Sequence, residues 1–504
     1  MWRALENSPM SYIGFRHEQS AAHAADGYGR VTGKPGAVML STGPGALNAA
    51  SALAEADVSS SPVIAVASAI PTKYLGKRKG FLHETTDLAE AFGAVTRHFA
   101  RVAQPNDVPE LLAEVMGAAL GGRCGPAMLE IPADLFDAPL DAPPLEVVRK
   151  LSSPSADQIL DAALLVGLAA RPVIWAGGGV ASSEASLELQ ALAEKISAPV
   201  ITTFMGKGAI PESHPLAVGS LVRQPEVADL LREADVLLAV GTRFSGMDTS
   251  NWKLELPSQL IHIDIDAEEI GRNYPVRLGI AADARASLIA IAEAIETAPI
   301  ERGGWGKARV SLVRDACSQR AKKEGPLEWE LLRTISSSIG PQDVTVHDMT
   351  VPSYWSAPFL GIEGPRRFLY PYGYGSLGFS LPAAIGAAAA GRKVFSFSGD
   401  GGFQYHCREL ATIVQHDLPI TALVFNDGAW GVLKAFSQAR YGSDLGMALP
   451  GPDFMKLADA YGIPSARVAG ADDLAVALGK YSKGPSLIEV TGQWALPPPS
   501  EYYR

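Results

Sequence analysis

The sequence predicts an α/β protein with three doubly wound domains, each built on a parallel sheet. Two observations predict this fold class. Short runs rich in β-branched and aromatic residues alternate with longer segments of helical spacing, which is the pattern of parallel sheets covered by helices. The chain also has 504 residues, of which 47% are hydrophobic and only 19% are charged. A chain of this length and composition can bury the cores of about three domains.

The predicted domains are residues 1–140, 156–305 and 326–495. Residues 141–155, between the first two, are rich in proline and serine and have the composition of a linker. The first domain begins with a predicted strand at 10–15 and an alanine-rich helix at 20–30. The other predicted strands are residues 37–41 and 62–68 in the first domain, 172–176, 199–203, 236–240 and 260–265 in the middle domain, and 393–398 and 419–425 in the third.

Composition excludes several classes of function. The net charge is −11 and no long basic run occurs, which argues against nucleic acid as a partner. Cys124, Cys317 and Cys407 stand far apart without a CxxC motif, which favours a reducing cytoplasm. We see no signal peptide and no apolar stretch of about 20 residues, so we predict no membrane association.

The third domain carries the motif around which the chain is organised. Gly399-Asp400-Gly401-Gly402 follows one predicted buried strand, and Asn426-Asp427 follows the next. The carboxyl ends of parallel strands meet at one edge of a sheet, where ligands bind in open α/β folds. Small residues let backbone N–H groups approach an anion, and carboxylates hold a hard cation. Each motif alone is also a common turn, but together they predict a phosphate and metal site.

The pair of motifs, separated by residues 402–425, resembles the signature of enzymes that bind thiamine diphosphate. The resemblance implies that the Asp400 and Asp427 side chains and the Ala429 carbonyl hold magnesium against the diphosphate. The family usually has asparagine at the position of Asp427, and magnesium accepts oxygen from either group. The other residues that the resemblance places at the cofactor in this region are Gly399, Gly401, Gly402 and Trp430.

A second resemblance lies in the first domain. Arg16-His17-Glu18, an alanine-rich helix, and Ser-Thr-Gly-Pro-Gly-Ala-Leu-Asn at 41–48 resemble the pyrimidine-binding domain of the acetolactate synthase group. The resemblance implies that Glu18 hydrogen-bonds a ring nitrogen of the cofactor's aminopyrimidine and shares a proton with it. Without the motif at residues 41–48, Glu18 would be only an acid in a first helical turn, where acids are favoured. Family members usually begin with a further strand and helix, so either the native chain starts upstream of Met1 or the first sheet lacks an element.

The resemblance also bears on two further segments, one in the third domain and one in the middle domain. In the third domain, the resemblance implies that the Gly375 carbonyl accepts from the cofactor's amino group, that Ser376 lies beside it, and that Leu377 wedges the two rings into a bent conformation. In the middle domain, which binds FAD in acetolactate synthases, Gly241-Thr242-Arg243-Phe244 resembles the start of a contact loop, but residues 245–248 depart from it. Gly177-Gly178-Gly179 does not fit the dinucleotide motif either. We therefore predict a Rossmann-like spacer without FAD.

An enzyme of this family removes carbon dioxide from a 2-oxo acid, with the cofactor as electron sink. It passes the remaining fragment either to a second carbonyl compound, as in acetolactate synthase, or to a proton, as in a simple decarboxylase that releases an aldehyde. The residues that distinguish acetolactate synthases from simple decarboxylases match neither group fully in this sequence. His83 is the candidate proton donor, with a solvated loop histidine as the alternative. The candidate substrate pocket comprises Val432, Leu433, Lys434 and Phe436.

Two other classes stay open at this point. A non-catalytic cofactor-binding or regulatory homologue is disfavoured because Glu18, Asp400 and Asp427 are all present. A decarboxylase of acyl-CoA substrates would need a nucleotide site in the middle domain, for which we identify no motif. The family places its first and third domains face to face across a two-fold axis, so we predict a homodimer or homotetramer with the active site at the dimer interface.

Overall fold

The computed structural model describes residues 5–147, 149, 151–295 and 304–499. These residues form three sheets, and every strand pair in them is parallel. Helices connect the strands and cover the sheets. The predicted fold class is therefore confirmed.

The first sheet has four strands in the order β1-β2-β4-β3. Its strands are β1 (Gly36–Leu40), β2 (Val63–Ala69), β3 (His98–Arg101) and β4 (Pro126–Pro132). Its helices are α1 (Glu18–Thr32), α2 (Pro44–Asn48), α3 (Ala50–Val58), α4 (Leu88–Gly93) and α5 (Val108–Leu120). The strand predicted at residues 10–15 is wrong, because that segment is irregular. Its apolar Ile13 and Phe15 pack instead against the core of the third domain.

The middle sheet has six strands in the order β10-β9-β8-β5-β6-β7. Its strands are β5 (Pro172–Ala176), β6 (Val200–Thr202), β7 (Ala217–Gly219), β8 (Val236–Val240), β9 (Leu260–Asp264) and β10 (Leu278–Ala281). Its helices are α6 (Ala156–Leu168), α7 (Gly178–Ser182), α8 (Ser186–Ile196), α9 (Pro225–Glu233) and α10 (Ala284–Ala294). A longer helix, α11 (Trp305–Glu324), then leads to the third sheet.

The third sheet has six strands in the order β12-β11-β13-β14-β16-β15. Its strands are β11 (Val344–His347), β12 (Phe368–Leu369), β13 (Val394–Gly399), β14 (Ile420–Asn426), β15 (Ser465–Val468) and β16 (Ser486–Thr491). Its helices are α12 (Pro326–Ser338), α13 (Val351–Phe359), α14 (Ser380–Ala389), α15 (Asp400–His406), α16 (Leu410–Gln415), α17 (Gly431–Tyr441), α18 (Phe454–Ala460) and α19 (Ala471–Tyr481).

The first and third domains are joined where α1 packs on α14. Both helices consist mainly of small residues, so their backbones lie very close together. A Cβ at Gly27 would overlap the Ala383 carbonyl, and one at Gly386 would overlap the Ala24 carbonyl. The absence of a side chain at these two positions therefore sets the distance between the domains.

In the part of the chain that the structure describes, no helix is both long and apolar enough to cross a membrane.

Candidate cofactor and active site

The two predicted metal-ligand carboxylates lie at the carboxyl edge of the third sheet. Strand β13 ends at Gly399, and α15 begins at Asp400 without an intervening turn. Neighbouring β14 ends at Asn426, and its Phe425 pairs with Gly399. This register places Asp400 and Asp427 at adjacent strand ends.

Asp400 is only 2% exposed, and its Oδ2 atom has no hydrogen-bond partner. Burial raises the pKa of Asp400 to about 6, and the nearby Asp427 carboxylate adds to the rise. Burial also raises the pKa of Asp427, although the Lys434 ammonium opposes this rise. A buried carboxylate oxygen without a donor is costly unless a cation accompanies it. The site therefore has the electrostatics of a cation site.

The donor set fits a magnesium ion that is shared with a ligand. Among the described residues, no three His, Cys, Asp or Glu side chains form a cluster that could hold a metal. Two carboxylates and the Ala429 carbonyl would leave octahedral magnesium short of oxygen ligands, which phosphate oxygens commonly complete. The Ala429 backbone N–H donates to Asp427 Oδ1 at 3.1 Å, which fixes the loop that carries this carbonyl.

The glycines of the motif make room for other groups of the site. A Cβ at Gly399 would lie 3.0 Å from Thr350 Oγ1. One at Gly401 would overlap the Trp430 ring, and one at Gly402 would lie 2.7 Å from Asp348 Oδ2. The predicted residues Gly399, Gly401, Gly402 and Trp430 are thus packed together at one place.

Residues 375–378, which we call the ring segment, lie beside this place. Gly375 has φ +77° and Gly378 has φ +80°, values that favour glycine. Ser376 is buried, and Leu377 is half-buried between them. The Gly378 N–H donates to Asp348 Oδ2 at 2.8 Å, which links the ring segment to the start of α15.

Glu18 and His83 lie at the carboxyl edge of the first sheet. Glu18 Oε2 accepts from Asn48 Nδ2 at 3.1 Å, and a Cβ at Gly45 would lie 2.9 Å from Glu18 Oε1. His83 is exposed and has the strained value φ +67°. A Cβ at Gly43 would overlap the His83 carbonyl. The turn from Gly43 to Gly45 therefore brings Glu18 and His83 to the same side of the sheet.

Within one chain, Glu18 with His83 and the metal-site carboxylates with their loop form two separate groups, which we call half-sites. The neighbours of Glu18 contact the carboxyl end of α15 and the turn that follows it. The His17 and His406 ring centroids are 6.2 Å apart, and the Arg16 N–H donates to Glu409 Oε1 at 3.2 Å. Asp400 lies at the opposite end of this helix. Among the described residues, no hydrogen bond or ion pair joins Glu18 to Asp400 or Asp427.

The predicted pocket residues all belong to α17, in which no residue is buried. Val432 packs against the apolar cluster of Val351 and Trp355, whereas Leu433 is 53% exposed. Phe436 and Lys434 are half-buried, and Lys434 is close enough to Asp427 to act on its pKa. The four side chains therefore do not form an enclosed pocket in one chain.

A cavity of about 410 Å³ lies where the three domains meet, and the sequence did not predict it. Its lining includes Gly178, Arg243 and Arg366. Arg366 donates to the backbone carbonyls of Arg30 at 3.1 Å and Ala181 at 2.8 Å. The prediction that the middle domain binds no FAD remains to be tested, because the cavity is large and its lining is rich in arginine.

Comparison with known families defines the class of protein. "Thiamine pyrophosphate enzyme, N-terminal TPP binding domain" matches residues 1–91, "Thiamine pyrophosphate enzyme, central domain" matches residues 159–291, and "Thiamine pyrophosphate enzyme, C-terminal TPP binding domain" matches residues 348–490. Thiamine pyrophosphate is another name for thiamine diphosphate. The chain belongs to the family of thiamine pyrophosphate enzymes.

Similar curated proteins include enzymes named for two kinds of reaction. A probable acetolactate synthase large subunit from Methanocaldococcus jannaschii is 35% identical over 97% of this chain and 86% of its own length. The acetolactate synthase large subunit of Corynebacterium glutamicum is 34% identical over 94% of this chain and 79% of its own length. A probable 2-ketoarginine decarboxylase from Pseudomonas aeruginosa is 33% identical over 97% of this chain and 89% of its own length.

These findings confirm the predicted family and the prediction of a thiamine-diphosphate-dependent enzyme of the carboligase and decarboxylase class. The two matched terminal domains are TPP binding domains, which supports thiamine diphosphate as the cofactor. The role of each site residue remains a prediction, and so do the domain boundaries and the cytoplasmic location.

Proposed function

We propose that this enzyme uses thiamine diphosphate and magnesium to decarboxylate a small 2-oxo acid and to join the remaining fragment to a second carbonyl compound. The unpartnered, buried oxygen of Asp400 beside the Asp427 carboxylate carries the proposal. A decarboxylase that releases the aldehyde is the second candidate. The similarity to a probable 2-ketoarginine decarboxylase supports it.

Asp400, Asp427 and the Ala429 carbonyl would bind magnesium, which in turn would hold the diphosphate. The glycines at 399, 401 and 402 let Thr350, Trp430 and Asp348 pack directly against the backbone at the start of α15. The backbone N–H groups there would hold the diphosphate. The Gly375 carbonyl would accept a hydrogen bond at the other end of the cofactor, with Leu377 packed between the rings. When bound, thiamine diphosphate supplies the electron sink for loss of carbon dioxide.

Glu18 would hold and move a proton at the aminopyrimidine ring. Its Oε1 approaches Gly45, where the absent side chain leaves room, and its Oε2 is fixed by Asn48. A carboxyl group held in this way can donate and accept a proton at a ring nitrogen. The exposed side chain of His83, carried on a strained backbone, would exchange a proton with the substrate.

The complete site would require a second copy of the chain. Glu18 and Asp400 belong to separate half-sites, and α17 carries Leu433 and Phe436 without burying them. A two-fold related partner would bring the first-sheet edge of one subunit to the third-sheet edge of the other, and it would cover α17. This arrangement supports a homodimer or a dimer of dimers.

The test is a screen of small 2-oxo acids with thiamine diphosphate and magnesium, in which carbon dioxide, aldehyde and acyloin are measured together. Acyloin as the main product supports the carboligase, and aldehyde alone supports the decarboxylase. Asp400→Ala provides the inactive control. If the wild-type protein binds the cofactor but releases no carbon dioxide from any acid, the non-catalytic alternative replaces the proposal.

A further inference from the structure

The ring segment is held from both sides by buried carboxylates that the sequence analysis did not single out. The Ser376 N–H donates to Glu55 Oε2 at 3.2 Å, and the Gly378 N–H donates to Asp348 Oδ2 at 2.8 Å. Glu55 comes from α3 of the first domain, whereas Asp348 directly follows β11 of the third. Leu377 lies between the two fixed amides.

Both carboxylates accept hydrogen bonds on both of their oxygens. Glu55 Oε1 accepts from Ser59 Oγ at 3.0 Å and from Arg30 Nη2 at 3.3 Å. Asp348 Oδ1 accepts from the Met349 N–H at 2.8 Å. Because every one of these partners is a donor, an amide side chain at either position would turn an NH₂ group against a donor. The arrangement therefore requires a carboxylate and not merely a polar side chain.

Asp348 also lies beside the diphosphate end of the site. A Cβ at Gly402 would lie only 2.7 Å from Asp348 Oδ2, so the glycine permits this approach. Burial raises the pKa of Asp348 to about 7, and the charge of Glu55 adds to the rise. Burial thus raises the pKa of both carboxyl groups that hold the ring segment, and shifts of this kind are typical of functional sites.

Resting on the proposed function, we propose that Glu55 and Asp348 are positioning residues. They fix the Gly375 carbonyl and the Leu377 side chain against the ring end of thiamine diphosphate, while the metal-site carboxylates hold its diphosphate end. A mutation far from the reacting atoms that misplaces them by about 1 Å can lower the rate by about 100-fold. Loss of either carboxylate should therefore impair cofactor activation far more than cofactor binding.

The variants Glu55→Gln and Asp348→Asn keep the size of each side chain and remove one acceptor. Glu130→Gln is the matched control, because Glu130 is also buried and paired with an arginine, Arg101, but lies on β4 away from the ring segment. Ser59→Ala is a milder variant, which removes one hydrogen bond to Glu55 and leaves both carboxylates in place. Thermal unfolding checks that each variant is folded.

Three measurements are compared. The first is deuterium exchange of backbone amides in residues 373–379 of the cofactor-free protein, where both amide variants should lose protection and Glu130→Gln should not. The second is calorimetric affinity for thiamine diphosphate with magnesium, which should stay within about threefold of wild type. The third is proton–deuterium exchange at the reactive thiazolium carbon, which should slow by about tenfold or more. Ser59→Ala should change the first and third in the same direction but less.

Unchanged amide protection in the folded variants would overturn the inference, whatever the enzyme catalyses. So would lost protection combined with a wild-type rate of exchange at the thiazolium carbon. Failure of the wild-type protein to bind thiamine diphosphate would instead overturn the proposed function. The amide measurement, which needs no cofactor, separates the two failures.

Discussion

At the scale of single residues, Asp400 and Asp427 have unequal surroundings. Asp400 is almost fully buried and has an oxygen without a partner, whereas Asp427 Oδ1 already accepts from the Ala429 N–H. A divalent cation is the largest local charge in such a site, so one additional negative charge at Asp427 is tolerated. We expect Asp400 to be essential and the charge of Asp427 to be dispensable.

Asp400→Ala should abolish binding of magnesium and thiamine diphosphate together, because phosphates and carboxylates repel each other without the cation. Asp427→Asn keeps an oxygen in place and should retain magnesium-dependent activity. Calorimetry with both ligands measures the effect, and Asp444→Ala, at an exposed position of the same domain, is the control. If Asp400→Ala bound the cofactor as tightly as wild type, the metal site would lie elsewhere.

Glu18→Gln should leave diphosphate binding largely intact but slow proton–deuterium exchange at the thiazolium carbon by about 10²- to 10⁴-fold. The reason is that proton transfer at the ring and metal binding at the diphosphate depend on different residues. Glu90→Gln, on the exposed surface of α4, provides the control. An unchanged exchange rate in Glu18→Gln would refute the role assigned to Glu18.

The sequence analysis identified site residues that belong to local motifs. It missed residues whose hydrogen-bond partners lie far away in the chain. Asp400 and Asp427 follow buried strands, so the spacing of the strands alone placed them at one edge. Glu55 has no motif around it, and its partner Ser376 lies 321 positions away in the chain. Asp348 is separated from Gly378 by 30 positions. Such pairs become visible only once α3 and β11 have been placed in space.

At the scale of helices and strands, the periodicity of the sequence predicted most elements. The exceptions depend on tertiary packing and on the residue at a helix start. Residues 10–15 have the composition of a strand, but they form none, and their Ile13 and Phe15 pack on the third domain instead. Taken alone, the glycine motif is a common turn, yet α15 begins directly at Asp400. An acid in the first turn of a helix is favoured by the helix dipole, which accounts for this early start.

Gly386→Ala should destabilise the protein by about 1–3 kcal/mol or more, because the added methyl group would overlap the Ala24 carbonyl between α1 and α14. Gly117→Ala is the matched control, since Gly117 is an exposed helical glycine of α5 with open space at its Cβ position. Without a clash, that change should stabilise by about 0.5–1 kcal/mol. Denaturant unfolding measures both. Equal effects of the two variants would contradict the close approach of the helices.

The interface of α1 with the third domain should also make stability depend on pH. Burial lowers the pKa of His23 to about 3, with Arg30 contributing, and both ring nitrogens lack hydrogen-bond partners. The unfolded chain takes up this proton below about pH 6.5 and the folded one does not, so stability falls as pH falls below that value. His23→Leu should reduce the stability lost between about pH 7.5 and about pH 5 by about 2 kcal/mol. Unfolding curves at both pH values give the difference, and parallel losses in variant and wild type would contradict it.

At the scale of the whole molecule, the middle domain and the assembly decide what the two half-sites can do. We predict that the purified protein carries no flavin, because residues 245–248 depart from the family loop and Asp248 of this segment accepts from the Tyr372 hydroxyl at 2.9 Å. The visible absorption spectrum of the protein after denaturation tests this. A flavin spectrum at one equivalent per chain would show that the cavity between the domains is a cofactor site.

The last prediction concerns the sharing of the active site between subunits. Glu18→Gln and Asp400→Ala should each be nearly inactive alone, because each damages both sites of a symmetric dimer. Coexpressed in equal amounts, the two chains should regain about one quarter of wild-type activity. Half of the dimers are then mixed, and each mixed dimer has one site that carries both an intact Glu18 and an intact Asp400. If both residues acted within one chain, no mixture could restore an intact site, so an inactive coexpressed sample that sedimentation shows to be dimeric would exclude the shared site.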